Sequence, residues 1–185
     1  MQNHNSMRHW RAYPLLCALV LALAACKPEP TAHSLMLDSS RFAAIASIET
    51  VLEAGTDQQQ TSAADAQQLR QLGIHSFGRY RYHLRAPDGG VYKVHILLFT
   101  DTASAVQHWQ QRHHAEALAT TRPLPLGEKL DTQGEAWIYP NAERGEMASL
   151  RIGRAVIEIR ARGAATVLAP FSRAIAAHTA RVLRH

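Results

Sequence analysis

Cysteine is scarce in this sequence of 185 residues: Cys17 and Cys26 are the only two, and both lie near the N-terminus. From residue 27 onward there is none. That part of the chain can therefore form neither a disulfide nor a thiolate metal site, and cysteine catalysis is excluded there. Its stability must come from a hydrophobic core.

Recognisable catalytic motifs are also absent. The sequence has no Gly-x-Ser-x-Gly elbow, no glycine-rich phosphate loop and no His-Glu-x-x-His, and its acidic residues are scattered. Histidine is plentiful, but His108, His113 and His114 have the wrong spacing, because chelation on a helix needs ligands three or four residues apart. We therefore predict no metal and no other cofactor, and an enzyme is less favoured than a binding protein.

No apolar run in the sequence reaches the length of about 20 residues that a membrane-spanning helix needs. The first residues carry Arg8 and Arg11 and no acid, and an uncharged run follows from Ala12 to Ala25. A positive start before a short apolar run is typical of a secretion signal. The run ends in Leu23-Ala24-Ala25-Cys26, which resembles the lipobox of bacterial lipoproteins.

The lipoprotein resemblance covers residues 1–26 and implies an address. Residues 1–25 would be removed as a signal peptide, and Cys26 would carry a diacylglyceryl group and an acyl chain such as palmitate, so that the membrane becomes a partner. In enteric lipoproteins an aspartate directly after the lipidated cysteine resembles a signal for retention in the inner membrane. This sequence has Lys27 at that position, which favours transfer to the outer membrane, with the protein facing the periplasm. The alternative is an ordinary signal peptide that contains a cysteine by chance.

Composition limits the function of what remains after cleavage. Residues 1–25 contain two arginines and no acid, so their removal lowers the formal net charge from +5 to +3. A nucleic-acid-binding protein would show a denser concentration of Lys and Arg, and no nucleic-acid partner is predicted. Residues 26–38 contain Pro28 and Pro30 and are predicted to be the lipidated cysteine and a short extended spacer. Residues 39–185 are predicted to form a single globular domain.

The spacing of apolar residues predicts four helices, each with a start or stop signal. Gly55 and Gly73 close the first two, Thr100 or Asp101 caps the third, and Pro170 is tolerable in the first turn of the fourth. The predicted helices run over residues 40–54, 63–72, 101–119 and 165–183.

Two stretches that alternate between apolar and polar residues, 79–86 and 92–98, predict a hairpin. Pro87-Asp88-Gly89 between them suits a three-residue loop. The register set by that loop pairs Leu84 with Tyr92, Tyr82 with Val94, Arg81 with His95 and His83 with Lys93.

A second hairpin is predicted in the C-terminal half, where Gly153-Arg154 fits a two-residue type II′ turn. A strand around Ala136 and Ile138 precedes it, after a loop marked by Pro123 and Pro125. The chain therefore predicts an α+β fold in two hairpin-then-helix units. Its antiparallel sheet would have about five strands, with helices packed on one face. The predicted pairs of the second hairpin are Ile152 with Ala155, Leu150 with Ile157 and Ala148 with Ile159.

Basic side chains gather on one face of the first hairpin and form the candidate binding site. Facing like charges usually destabilise a strand pair, so a ligand that offsets the repulsion is one explanation for them. The interpretation is that this face binds an anionic component, such as lipid phosphate, lipopolysaccharide or an acidic protein partner, and arginine suits phosphate because its planar fork donates two hydrogen bonds. The alternative is a solvated outer face balanced by Glu158 and other acids. The candidate residues are Arg79, Arg81, His83, Arg85, Lys93 and His95.

The aromatic residues allow two interpretations, a sugar-stacking platform or a hydrophobic core, and their spacing favours the core. Trp137 and Tyr139 are the pair expected to be exposed. The residues concerned are Tyr80, Tyr82, Tyr92, Trp109, Trp137 and Tyr139.

Three hypotheses for the function follow. The first is a non-enzymatic binding or interaction module held at the membrane. The second is an enzyme that acts on cell wall or lipid without a recognisable motif, for which a deep pocket with paired carboxylates or a Ser/His pair would be the sign. The third is a small-ligand sensor domain that encloses an apolar cavity, against which a filled core would argue.

Overall fold

The computed structural model describes residues 28–56, 61–85, 90–116, 122–127, 130, 134–141, 145–162 and 167–184. Within these ranges the helices are α1 (Ala63–Gln71), α2 (Thr102–Glu116) and α3 (Leu168–Leu183), and a short 3-10 helix covers His33–Leu35. The strands are β1 (Ile45–Gly55), β2 (Ile74–Leu84), β3 (Val91–Phe99), β4 (Arg122–Pro123), β5 (Gly134–Asn141), β6 (Gly145–Ile152) and β7 (Ala155–Arg162).

The seven strands form one antiparallel sheet in the order β1-β2-β3-β7-β6-β5-β4. Strands β1 to β3 are one meander, β4 to β7 are a second, and the β3–β7 ladder joins the two. The predicted α+β class with an antiparallel sheet is confirmed. The number of strands is seven instead of about five, because the sequence patterns predict neither β1 nor the two-residue β4.

Strand β1 lies where apolar spacing predicts a helix over residues 40–54. The segment is rich in β-branched residues, which lose side-chain freedom in a helix and suit a pleated surface, and it pairs with β2 over nearly its whole length. As an edge strand with two irregularities of register, it shows no alternating burial. Ile45 is 1% exposed and Leu52 is 46% exposed. The segment therefore forms a strand because it pairs with β2 through its backbone. The helical spacing rests on only four apolar residues, Phe42, Ile45, Ile48 and Leu52.

The register of the first hairpin, β2–β3, differs from the predicted one by two residues. Tyr82 pairs with Tyr92 instead of Val94. The N–H of Leu84 donates to the carbonyl of Gly90 at 3.0 Å, so the connection is longer than the predicted three-residue loop. The residues 87–89 that suggested this loop lie outside the described ranges. Because a shift of two keeps each side chain on its face, the predicted faces survive.

The second hairpin, β6–β7, has the predicted register, with Ile152 opposite Ala155 and Leu150 opposite Ile157. Gly153 has φ of +54°, and among the described residues no residue other than glycine has a positive φ. A positive φ at the first central position and a negative one at the second are the signature of a type II′ turn. This prediction is confirmed.

Three of the four predicted helices are present, with the expected ends. Gly73, at φ +67°, follows the end of α1. The carboxylate of Asp101 accepts a 2.7 Å hydrogen bond from the N–H of Ser104 and caps α2. Pro170 falls in the first turn of α3, where its missing N–H costs little.

The helices lie on both faces of the sheet, not on one as predicted. α3 packs on the face that carries Tyr82 and Tyr92, here called the α3 face. α1 and α2 cover part of the opposite face, here called the α2 face, where Trp109 belongs to a second cluster with Val156 and Phe99. The alternation of apolar and polar residues in the sequence indicates the larger apolar face clearly. It does not indicate the small apolar patch on the opposite face.

Phe171 of α3 is the centre of the main core. Its ring meets the rings of Phe42, Tyr82 and Tyr92 edge-on, at centroid distances of 5.4, 5.2 and 5.3 Å. Such edge-to-face contacts add to the stabilisation that comes from burial alone. The space between the sheet and α3 is therefore filled by interlocking aromatic rings.

The residues just before β1 also pack in this core. Ala32, Leu35 and Leu37 are each at most 1% exposed, and the N–H of Leu37 donates to the hydroxyl of Tyr82 at 3.1 Å. These residues belong to the segment 26–38 that sequence analysis assigns to the spacer. The part of that segment from Ala32 onward is a packed element of the domain.

Candidate functional site

Five of the six predicted basic residues lie on the α2 face, since they occupy alternate positions of β2 and β3. The sixth, Arg85, follows the end of β2, and its N–H donates to the carbonyl of Ala44 at 2.8 Å. His83 lies at the same end of β2, 4.0 Å from a carboxylate oxygen of Glu49. The structure thus brings together on the central strands Arg79, Arg81, Lys93 and His95.

The neighbours across the strands are not those predicted, because of the two-residue shift. Arg79 faces His95 and Arg81 faces Lys93, while His83 faces Val91. On its other side Lys93 faces Arg160 of β7. Directly opposed side chains in a sheet have Cβ atoms about 5 Å apart, so three cations stand in a row across β2, β3 and β7.

Helix α2 covers the end of this face near Phe99 and Val156 and leaves the row of cations partly exposed, with the side chains of Arg81 and Arg160 at 37% and 36% exposure. The helix lies over β3, β6 and β7, and the indole N–H of Trp109 donates to Glu135 of β5 at 3.1 Å. One turn later, Arg112 reaches down to the sheet. We define the cationic cluster as Arg79, Arg81, Lys93, Arg112 and Arg160.

Glu158 of β7 is the buried anion beneath the cluster, with its side chain 5% exposed. Arg112 holds it with both arms of its guanidinium, Nε at 2.7 Å from Oε1 and Nη2 at 3.2 Å from Oε2. Arg160 Nη2 lies 3.8 Å from Oε2. A buried carboxylate is stable only when it is paired in this way. Glu158 therefore fixes the position of two of the five cations.

His95 reports the positive potential of the cluster. Burial, and after it the charges of Arg79, Arg160, Arg112 and Lys93, together lower the pKa of its imidazole to about 4. The ring is consequently neutral at physiological pH. His95 lies among the cations without adding a charge to them.

The charges of the cluster are only partly balanced. Among the described residues Arg81 pairs with Glu49 at 2.6 Å and Glu158 balances one further charge, so these five cations and two carboxylates sum to a net charge of +3. In the described part of the chain Arg79 and Lys93 form no ion pair. Arg79 instead lies 5.3 Å from the centroid of the Phe77 ring. These two side chains are the ones available to an anion.

Sequence reasoning missed three members of this site. Arg160 alternates with Ile157 and Ile159, so the pattern that located the first hairpin face would also have located it. Glu158 was considered only as a balancing charge. Arg112 carried no such signal, because nothing in the sequence places α2 over the basic face.

The aromatic residues belong mostly to the hydrophobic core, as their spacing predicts. Five of the six aromatic residues are buried, including Tyr139 at 8% exposure, which was expected to be exposed. Trp137, also expected to be exposed, is half-buried against the second hydrophobic cluster, that of Trp109, Val156 and Phe99. The prediction for Tyr139 was wrong: it lies on the same face of β5 as Trp137, and that face packs against the second hydrophobic cluster. Over the described ranges, no group of three or more His, Cys, Asp or Glu side chains has a metal-site arrangement.

The contact most similar to a catalytic arrangement joins Thr56, His75 and Glu29. Thr56 Oγ1 lies 3.4 Å from Nδ1 of His75, whose Nε2 lies 3.8 Å from Glu29. Both distances exceed those of a nucleophile–base–acid triad, and the Thr56 hydroxyl lies 3.3 Å from the carbonyl of His75. This contact gives the enzyme hypothesis no support.

The pockets in the described structure are surface clefts. One of 420 Å³ lies between α1, β2 and α2, one of 400 Å³ lies between Leu130 and the C-terminal half of α3, and one of 320 Å³ lies beside β4 and β5. None of these three lies between the sheet and α3, where Phe171 and its neighbours fill the space. The filled core argues against the hypothesis of an enclosed apolar ligand cavity.

No helix in the described residues has the length and apolar character needed to cross a membrane.

Neither a family model nor a curated protein matches this sequence. Among solved structures, the fold is similar to that of the extracellular domain of PknH from Mycobacterium tuberculosis, with a TM-score of 0.50. The likeness covers 86% of this chain and 99% of that one, at 14% sequence identity. At this identity the likeness concerns the fold alone: the α+β architecture of this chain is similar to one that another protein presents outside the cell.

Proposed function

We propose that this protein is an exported lipoprotein of the bacterial envelope, attached through a lipid on Cys26, whose domain binds an anionic envelope component without catalysis. The lipobox-like sequence that ends at Cys26 supports export and lipid attachment. Lys27, in place of an aspartate, supports a location in the outer membrane with the domain facing the periplasm. The fold likeness to an extracellular domain is compatible with export.

The observation that carries the binding proposal is the excess of positive charge in the cationic cluster on the α2 face. Like charges on adjacent strands destabilise the free domain, and two members of the cluster, Arg79 and Lys93, form no ion pair among the described residues that would offset this repulsion. A bound phosphate or carboxylate would remove this repulsion. Arginine supplies the planar fork and lysine the point charge that suit such groups.

Binding is tested with the chain from residue 27 onward and vesicles of phosphatidylglycerol or of phosphatidylcholine, with inorganic pyrophosphate as a soluble competitor. The double variant Arg79→Glu with Lys93→Glu should lose at least about tenfold in affinity, since it reverses two charges at the site. Binding should also weaken as salt is raised.

The matched control reverses two cations elsewhere, Arg181→Glu with Arg184→Glu, and changes the total charge by the same amount. Equal losses in both double variants would show that only net charge matters and would refute the site. Pyrophosphate that competes with the vesicles identifies the phosphate group as the recognised feature; vesicle binding insensitive to it would contradict that.

The anchor is tested separately by palmitate labelling in cells. Incorporation should be abolished by Cys26→Ser and unchanged by Cys17→Ser. Labelling that survives in Cys26→Ser would overturn the anchor.

A further inference from the structure

The first described residues after the proposed lipid attachment point are held at one end of the sheet. Glu29 Oε1 lies 2.9 Å from Nη1 of Arg154, in the β6–β7 turn, and Glu29 Oε2 lies 3.8 Å from His75 near the start of β2. Three residue steps separate Cys26 from Glu29, and a fully extended chain covers at most about 11 Å in three steps. The lipid is therefore held close to this end of the sheet.

The same end carries the start of β2, the end of β3 and the end of α1. Arg154 Nη1 lies 3.3 Å from the carbonyl of Phe99, and the N–H of Thr100 donates to the carbonyl of Gly73 at 2.9 Å. Gly73 follows Leu72 directly. The contacts run without a break from Glu29 through Arg154 and Thr100 to the end of α1.

Leu72 is the apolar residue that this end presents to its surroundings. It is 58% exposed, more than the other large exposed apolar side chains of the described structure. Arg70, two residues before it, is also exposed. A leucine beside a cation suits a membrane interface, because the leucine can enter the acyl-chain region while the cation contacts the phosphate groups.

We propose that the domain stands on its own bilayer on this end, with Leu72 and Arg70 in contact with the membrane interface. The proposal rests on the lipid attachment proposed above. The occupant of the exposed apolar position is the membrane that holds the lipid of Cys26, since a tether of about 11 Å brings that membrane to this end of the sheet.

The orientation places the cationic cluster away from that membrane. Lys93 lies six residues from Phe99 along β3, and Arg79 lies six residues from Gly73. At about 3.3 Å per residue, each is about 20 Å from the membrane end. The cluster therefore recognises an anion displayed in the periplasmic space, and the headgroups of its own membrane are out of reach.

The orientation is tested with the lipidated protein, purified from membranes and reconstituted in vesicles that contain brominated phospholipid as a contact quencher. The thioether occupies the thiol of Cys26, so an introduced cysteine is the one thiol open to a fluorescent label. The two variants are Leu72→Cys and, on the exposed edge strand at the opposite end, Ser47→Cys. Eight residues separate Ser47 from Gly55, or about 26 Å along β1.

The label at position 72 should be quenched several-fold more strongly than the label at position 47. Equal quenching, or stronger quenching at position 47, would overturn the orientation and leave the anchor intact. The mass of the purified protein is measured first; a chain without lipid would overturn both the anchor and the orientation that rests on it.

Discussion

Replacement of Glu158 by glutamine should lower stability and at the same time raise the affinity for anions. Glutamine has nearly the same shape, so the change removes a charge and little volume. Arg112 and Arg160 then lose the carboxylate that holds them. The two effects have opposite signs because the carboxylate stabilises the free domain and competes with any anionic ligand.

The loss of stability follows from burial. Removal of one partner from a fully buried ion pair costs about 3–5 kcal/mol. Here Glu158 is buried but the side chain of Arg112 is 37% exposed, and water compensates part of the loss. We therefore expect about 1–3 kcal/mol in the free energy of unfolding.

The gain in affinity follows from sheet geometry. Lys93 and Glu158 lie one strand and two residues apart, or about 8 Å. An elementary charge at that distance near a surface contributes about 2 kcal/mol, and salt screening reduces this to about 1 kcal/mol, or roughly fivefold in affinity.

The assays are urea unfolding and pyrophosphate titration of the same protein. The matched control is Glu146→Gln, also on the sheet, whose carboxylate is 3.4 Å from the exposed Arg122; it should change stability by less than about 1 kcal/mol and leave affinity unchanged. If Glu158→Gln bound pyrophosphate more weakly than the unaltered protein, the reasoning about the cluster would be refuted.

Two further predictions concern His95 and the aromatic core. Because burial and four neighbouring cations lower the pKa of His95 to about 4, its contribution to stability is complete above about pH 6.5, the pKa in an unfolded chain, and is lost as the pH falls from 6.5 towards 4. In the variant His95→Gln the free energy of unfolding should fall by about 1 kcal/mol less over this pH range than in the unaltered protein, since the ring is only half-buried. Urea unfolding that gives the same pH profile for the two proteins would contradict the prediction. Phe171→Ala should cost about 3–5 kcal/mol and Phe171→Leu clearly less, because leucine keeps most of the buried area and loses only the edge-to-face contacts; equal costs for the two would show that the ring contacts with Phe42, Tyr82 and Tyr92 contribute nothing.

Local patterns predicted the features that depend on a few neighbouring residues. The turn at Gly153, the cap at Asp101 and the alternation of Tyr80 and Tyr82 are each decided within one or two turns of chain, and each is present in the structure. The same alternation assigned Arg79, Arg81, Lys93 and His95 to one face correctly.

Long-range packing decided the features that sequence reasoning missed. β1 is a strand because β2 offers it a ladder, although Phe42, Ile45 and Ile48 have helical spacing. The first hairpin lost its predicted register because the length of a connection is set by both strands and their further partners, β1 and β7. Arg112 joins the cluster because α2 crosses to the second face, and no pattern within α2 states which face it will cover.

The β3–β7 ladder is the seam between the two meanders, β1 to β3 and β4 to β7. Within each meander, the paired strands are neighbours along the chain. The ladder joins Leu98 to Ala155 and Val91 to Arg162, and such distant pairings form late because their loop must close first. The cationic cluster straddles this seam, with Lys93 contributed from one side and Arg160 from the other. A chain that has folded only one meander therefore lacks the complete site, and an anion bound across the seam would act as a clamp that favours the finished domain.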